Sequence, residues 1–360
     1  MSKQLSFDVA LNSLSFGNVS IGILREVYRR GLFPSVFPIG GQVDLSAQIP
    51  DEGFNKWLGN CISNAHKTHS RQNTSFRLWH IQSSHQSYSA RDSRLITFHE
   101  TDQLTPDEVN VLKNQDKVYV TSSFTQEVFS QYGIQSIYLP IGFDAHNFCA
   151  ISPRPKIANV TTWGLGGKFE SRKSHPKVLN LWAKKYGNNR AHRLNVAVYN
   201  PFLKPEHLNS LINQSLEGKQ YWNIQFLPFM PTNAEYNSFL NANDIFFALS
   251  GAEGRGLPEY HATALGSHTI GLNAHSYKDF LTNENAILVQ PTSKRPAVDG
   301  IFFHPNAPFN VGNFFDFSEQ YFYAACETAE KRVAQGINVA GLKLQELTYK
   351  DTVDVLLKDL

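Results

Sequence analysis

Three glycines and a carboxylate stand together in the segment Ser250–Gly266, SGAEGRGLPEYHATALG. The apolar run DIFFALS leads into it and PEYHATALG has a helical pattern, so the segment reads as a strand, a glycine-rich loop and a helix. Glycine lets a backbone come close to a ligand. A helix N-terminus adds unbonded N–H groups and a positive dipole end, both suited to phosphate. Glu253, at the strand end, is placed to accept hydrogen bonds from hydroxyl groups. Such a loop suits a sugar diphosphate. An ordinary glycine-rich turn with a solvated glutamate has the same composition, and composition alone leaves both open.

Other chemistries find less support. The histidines show neither H-x-x-x-H nor H-E-x-x-H spacing, and there is no D-x-D, so no metal site is expected. A G-x-S-x-G elbow and a phosphate-binding Walker loop are both missing.

The elements that must position the loop alternate. QLSFDVALN reads as a buried strand and SLSFGNVS as a small polar loop. In the helix that follows, Val19, Ile23, Leu24, Val27 and Tyr28 share one face, and Arg25, Glu26, Arg29 and Arg30 the other. PSVFPIG, SFRLWHIQ, RLITFHE, KVYVTSS and SIYLPIG read as further strands. Ser123 and Gln126 have capping-box spacing before FTQEVFSQYG. Residues 143–159 lose periodicity and read as an interdomain linker. Strands then alternate with helices again through AILVQP, residues 294–317 read as loop, and two amphipathic helices close the chain. This predicts an α/β protein with two Rossmann-like doubly wound domains facing a central cleft: residues 1–150, residues 151–340, and a helix over 341–360 crossing back to the first. Ligands bind at the carboxyl ends of such strands and in clefts between domains.

Composition narrows the class. The 360 residues carry 41% hydrophobic and 18% charged side chains, enough for two cores. A net charge of +2 is too small to argue for nucleic acid by itself. Cys61, Cys149 and Cys326 are few, odd in number and far apart, which fits a reducing compartment. The opening MSKQLSFDVALNSLSFG has no continuous apolar core, and no apolar run reaches the roughly 20 residues of a membrane span. The expectation is a soluble cytoplasmic protein, with peripheral membrane contact still compatible.

SGAEGRGLPEYHATALGSHTIGL resembles the E-G-x-G-L-P…E-A-x-A-x-G signature of glycosyltransferase family 4 and its GT-B relatives. The resemblance spans roughly residues 95–290 and departs from the family at His261, where a glutamate is usual. It implies a GT-B fold and a nucleotide-sugar donor, UDP- or GDP-linked, with no cofactor and no metal. Glu253 falls on the residue that contacts the donor sugar. Gly254, Arg255, Gly256 and Leu257 fall on the loop that meets sugar and phosphates, and Glu259 or His261 on the ribose position. GLGGKFESRKSHPKVLNLW resembles the family's G-R-x(4)-K-G segment, with Gly167, Lys168 on its arginine and Lys173 on its lysine. These cations would hold the diphosphate and stabilise the charge that develops on the leaving nucleotide, with Arg172 as a bidentate substitute. His99 falls beside the reacting centre, and Gly17 with Asn18 on a glycine-rich loop facing the diphosphate.

The implied activity is retaining transfer of a sugar to a hydroxyl acceptor, which could be a glycan, a lipid-linked sugar or a modified DNA base. The alternative is a catalytically silent nucleotide-sugar-binding protein, to which the departure at His261 points.

Overall fold

The computed structural model describes residues 4–86 and 89–360; the first three residues read for a leader lie outside it. The first domain contains β1 (Leu5–Leu11), α1 (Ser15–Arg29), β2 (Ser35–Val43), α2 (Glu52–Ser63), α3 (Ala65–Thr68), β3 (Thr74–Leu78), β4 (Asp92–Thr97), α4 (Pro106–Lys113), β5 (Lys117–Val120), α5 (Ser123–Gln131) and β6 (Ile137–Tyr138). Its six strands are parallel in the order β2-β1-β3-β4-β5-β6. The second contains β7 (Thr161–Lys168), α6 (His175–Tyr186), β8 (His192–Tyr199), α7 (Pro205–Ser215), β9 (Ile224–Phe226), α8 (Asn233–Asn241), β10 (Ile245–Ala248), α9 (Leu257–Ala264), β11 (His268–Leu272) and β12 (Ala286–Val289). Here the parallel order is β12-β11-β10-β7-β8-β9. This is the expected pair of doubly wound α/β sheets. Among the described residues no helix is long and apolar enough to cross a membrane.

Strand order locates the crevices. The connections change direction between β1 and β3 in the first sheet and between β10 and β7 in the second. At such a switch point the flanking loops diverge to opposite faces and leave a gap at the carboxyl ends of the strands. The chain after β7 and β10 carries Lys168, Arg172, Lys173 and Glu253; the chain after β1 and β3 carries Phe16, Trp79 and His80.

Two crossings join the domains. The chain leaves the first domain after β6 and returns through α10 (Glu319–Val333), α11 (Val339–Leu342) and α12 (Tyr349–Leu357). Tyr349, Val353 and Leu356 of α12 complete the first domain's core beside Val19, Ile23 and Val27 of α1. Where the crossings pass, the Phe143 amide donates to the Leu347 carbonyl at 2.8 Å, and Phe143 bridges Thr348. The segment 143–159 is therefore not a free linker throughout: Phe143, Asp144, Asn147 and Phe148 are buried.

Several local expectations are corrected. SLSFGNVS is not a loop, because α1 starts at Ser15 and lies so close to β1 that a Cβ on Gly17 would sit 2.0 Å from the Asn12 carbonyl. Arg25 and Glu26 are buried, not on a wet face; Arg25 lies 4.8 Å above the Phe54 ring. The cap of α5 is Ser122, whose hydroxyl accepts from the Thr125 amide, so no box forms from Ser123 and Gln126. Residues 294–317 include an antiparallel pair, β13 (Ser293–Pro296) with β14 (Asn313–Asp316).

Two glycines test this packing in opposite directions. A Cβ on Gly22 would meet the Tyr349 ring at 2.3 Å, whereas Gly59, in exposed α2, has nothing within 4 Å. Gly22→Ala is expected to lower stability by about 1–3 kcal/mol through overpacking against α12. Gly59→Ala is expected to raise it by about 0.5–1 kcal/mol. Denaturant titration of both variants checks the pair; equal effects would show that α12 does not bear on α1.

Candidate functional site

At the switch point of the second sheet lies a cluster of buried charge. Glu253 accepts from the Lys173 ammonium and forms an ion pair with Arg172 Nη1 at 3.0 Å, while Nη1 donates to the Ala252 carbonyl. Arg172 also reaches Glu170 at 3.1 Å through Nη2 and Glu100 at 3.2 Å through Nη1. Lys173 lies 3.6 Å from Glu259. Lys168, 38% exposed, meets Glu170 at 2.9 Å and lies over the Phe302 ring at 4.7 Å. Four carboxylates thus meet three cations, and Glu100 comes from the first domain. The N-terminal ends of α6 and α9 both open here, which adds positive dipole ends beside Lys173 and Glu259.

The environment sorts the carboxylates. Burial would raise the Glu253 carboxyl, but Arg172 and Lys173 hold it well below the usual range. For Glu100 burial dominates; Arg172 offsets it only in part, Glu253 and Glu170 add to it, and the carboxyl is pushed up to about 7. Glu259 is raised too, by burial, with Lys173 opposing. Lys173 is raised by Glu253 and Glu259 against the burial that would lower it, so it stays charged. His275 is lowered to about 4 by burial and donates from Nε2 to the Ser250 carbonyl, 2.8 Å away.

The structure brings Lys168, Arg172, Lys173, Glu253 and Glu259 together, with Gly167 (φ +112°) against the Lys173 stem. It directs others elsewhere. The His99 ring turns into its own domain: Nε2 lies 3.3 Å from the Thr101 hydroxyl, the ring sits 5.5 Å from Phe129, and burial lowers it to about 4. The next residue, Glu100, reaches the cluster instead. Asn18 is held by Gln48 at 2.7 Å and Asn233 at 3.1 Å, and Gly17 packs against Asn12, so both lie in the first turns of α1 and not on a glycine-rich loop.

Arg255 points away to the Ile141 carbonyl, 2.8 Å off, with its guanidinium over Tyr260. His261 stacks on Phe148 at 4.2 Å, bonds the Leu257 carbonyl at 2.7 Å through Nδ1, and accepts from the Asp144 amide at 3.4 Å. Both of its nitrogens are bonded within the protein. The loop glycines admit protein. A Cβ on Gly254 would meet Phe98 at 2.8 Å, and one on Gly256 (φ +78°) would meet Tyr277 at 2.5 Å. Leu257 packs against the first domain's core. Glu170 and His275 escaped the sequence reading. The only signal for Glu100 was its place beside His99 past a strand end.

No protein-family model matches the chain, and no curated protein matches it by sequence. Solved structures do match in fold. HepE from Anabaena, in complex with UDP and glucose, aligns over 99% of this chain and 100% of its own with a TM-score of 0.65 at 13% identity. The catalytic domain of starch synthase IV from Arabidopsis thaliana, bound to ADP and acarbose, aligns over 98% and 95% with a TM-score of 0.63 at 9% identity. TarM aligns over 80% of this chain with a TM-score of 0.56 at 12% identity, and the match spans 55% of the TarM chain. The fold is GT-B.

Two outcomes follow from the buried charges. His99, His261 and His275 at about 4 and His175 at about 3 are kept neutral by burial, so the unfolded chain binds their protons first as pH falls below 6.5. Their contribution is present above pH 6.5 and is lost toward pH 4. Glu100, raised to about 7, acts oppositely: its contribution is full near pH 4.5 and lost as pH rises through 7. With His80, also at about 4, five histidines outweigh the two raised carboxyls of Glu100 and Glu259, so the melting temperature should fall between pH 6.5 and 4; a flat profile counts against neutral buried histidines. Glu253→Gln should cost about 3–5 kcal/mol, because two buried cations lose their shared anion. In the same denaturation experiment Lys168→Ala, which removes one of the two cations on buried Glu170 and leaves Arg172 there, should cost less, about 1–2 kcal/mol.

Proposed function

We propose that the protein transfers a sugar from a nucleoside diphosphate donor, UDP- or GDP-linked, to a hydroxyl acceptor, with retention at the anomeric carbon and without a bound metal. One observation carries the reading: residues from two separate motifs, 168–173 and 253–259, converge at the switch point of the second sheet. The bound nucleotides named in the HepE and starch synthase structures, which share this fold, are of the same kind. Among the described residues no three His, Cys, Asp or Glu side chains are grouped to share a metal ion.

In this reading Lys168, Lys173 and Arg172 hold the diphosphate. As the glycosidic bond breaks, negative charge develops on the departing phosphate, and fixed cations lower that barrier. Glu253, ionised and clamped by two cations, accepts hydrogen bonds from the donor sugar, and Glu259 from the ribose. Its ion pairs leave Glu253 poorly suited to attack carbon as a nucleophile. This favours departure and attack on one face of the sugar, with the leaving phosphate taking the acceptor's proton. His99 then serves as a positioning residue, since its carbonyl accepts from Thr125 at 3.1 Å and fixes the bend that sends Glu100 into the cleft. Closure of the domains excludes water from the reacting centre.

The silent-binder reading keeps one observation in its favour: Glu100 already occupies Arg172 from across the cleft. Activity decides between the two. A nucleotide sugar at about 100 times its Kd should stabilise the fold by about 2.7 kcal/mol, seen as a raised melting temperature. If no UDP-, GDP- or ADP-sugar produces a shift, the donor reading fails; a shift without turnover favours the silent binder. Because Glu253 and Lys173 also hold the fold, Lys168 is the cleaner probe. Lys168→Ala should lower kcat/KM by about 10²–10³-fold with a melting temperature lowered far less than by Glu253→Gln.

A further inference from the structure

The switch point of the first sheet faces that of the second, and its lining differs in kind. Phe16, in the first turn of α1, lies 4.6 Å from His80 and 5.4 Å from Trp79. Trp79 and His80 follow β3 directly, and their rings are 5.2 Å apart. Phe98, just past β4, closes the group at 5.0 Å from Phe16. All four rings are partly exposed. The wall looks across at the second domain: burial lowers His80 to about 4, and the charge of Lys168 adds to it. On the far side Lys168 is flanked by Phe302 at 4.7 Å and Phe202 at 5.6 Å.

Three properties of this wall select a ligand. It presents aromatic faces, which attract apolar C–H surface. It also presents unspent polar atoms: among the described residues the Trp79 indole N–H and both His80 ring nitrogens have no hydrogen-bond partner. Trp57, by contrast, spends its N–H on the Leu32 carbonyl at 3.0 Å. Finally, it has little positive charge. Residues 1–150 contain 12 Lys and Arg against 13 Asp and Glu, and Arg77, behind β3, is paired with Asp8. A polyanion such as DNA needs a basic stripe, and none is built here. An acyl chain needs a continuous apolar surface, and His80 interrupts this one.

A pyranose has one face of C–H groups and a rim of hydroxyls, which matches an aromatic wall edged with N–H and imidazole nitrogen. We propose that Phe16, Trp79 and His80 form the acceptor subsite, and that it takes a pyranose ring of a glycan stacked on the Trp79 indole. The sugar's hydroxyls bond to the indole N–H and to the neutral His80 ring. The inference rests on the sugar-transfer reading and adds the acceptor's class.

The test measures nucleoside diphosphate release with the donor that gives the largest thermal shift. Free maltose, cellobiose, lactose and chitobiose serve as acceptors, with a lipid-linked monosaccharide and a duplex DNA alongside. At least one free disaccharide should raise release above donor hydrolysis. Trp79→Ala should raise the acceptor KM about tenfold, while Trp79→Phe, which keeps an aromatic face, should raise it about threefold. The donor KM should be unchanged in both, and the melting temperature of Trp79→Phe reports that the fold is kept. The proposal is overturned if donor binds yet no saccharide stimulates release. It is equally overturned if only the lipid or DNA does so, or if Trp79→Ala leaves the acceptor KM unmoved or shifts the donor KM as much. If no nucleotide sugar shifts the melting temperature at all, the failure belongs to the donor reading and takes this one with it.

Discussion

Four carboxylates and three cations share a volume from which water is largely excluded, and that arrangement is the constraint around which the rest of the molecule is organised. A buried charge is tolerated only beside an opposite one with its hydrogen bonds met. Arg172 and Lys173 therefore need Glu253, and Glu253 needs both. The two residues before α6 and the loop before α9 are locked to each other by charge, which fixes where both helices begin. The first domain is drawn in by the same rule, since Glu100 completes the coordination of Arg172.

This explains why the loop before α9 is glycine-rich. Glycine at 254 leaves room for Phe98, and glycine at 256 takes a left-handed turn beside Tyr277. The close approach that glycine permits is to the protein's own first domain and neighbouring ring. Thr121 adds a hydrogen bond to the Gly254 carbonyl at 2.8 Å. The loop is thus shaped from both sides before any ligand enters, which is what preorganised binding of a charged group requires.

The fold was legible because two-residue and 3.6-residue periodicities alternate along both halves, and strands such as IFFA and HTIGL are apolar on both faces. The charge cluster was legible in part, since Lys168, Lys173 and Glu253 lie on loops between well-marked elements. Other features depended on tertiary distance. The early start of α1 is set by Gly17 against Asn12, a contact that no periodicity encodes. Arg25 looks solvated on a helical wheel but finds the Phe54 face. Past Thr97 the chain leaves strand geometry, so alternation no longer tells which of His99 and Glu100 faces the cleft. His261 was placed by alignment at the ribose, but its partners Phe148 and Asp144 come from a segment read as linker.

The paired crossings at Phe143 and Leu347 have a topological consequence. Everything between them, from the second sheet through α11, is an insertion in a first domain that begins at β1 and finishes at α12. The chain leaves and re-enters that domain at points one backbone hydrogen bond apart. The helix α12 thus completes the first domain's core from the far end of the chain, while Leu257 of the insert packs against that core. The molecule is one module carried as a long excursion within another, between β6 and α12 of the first sheet's domain.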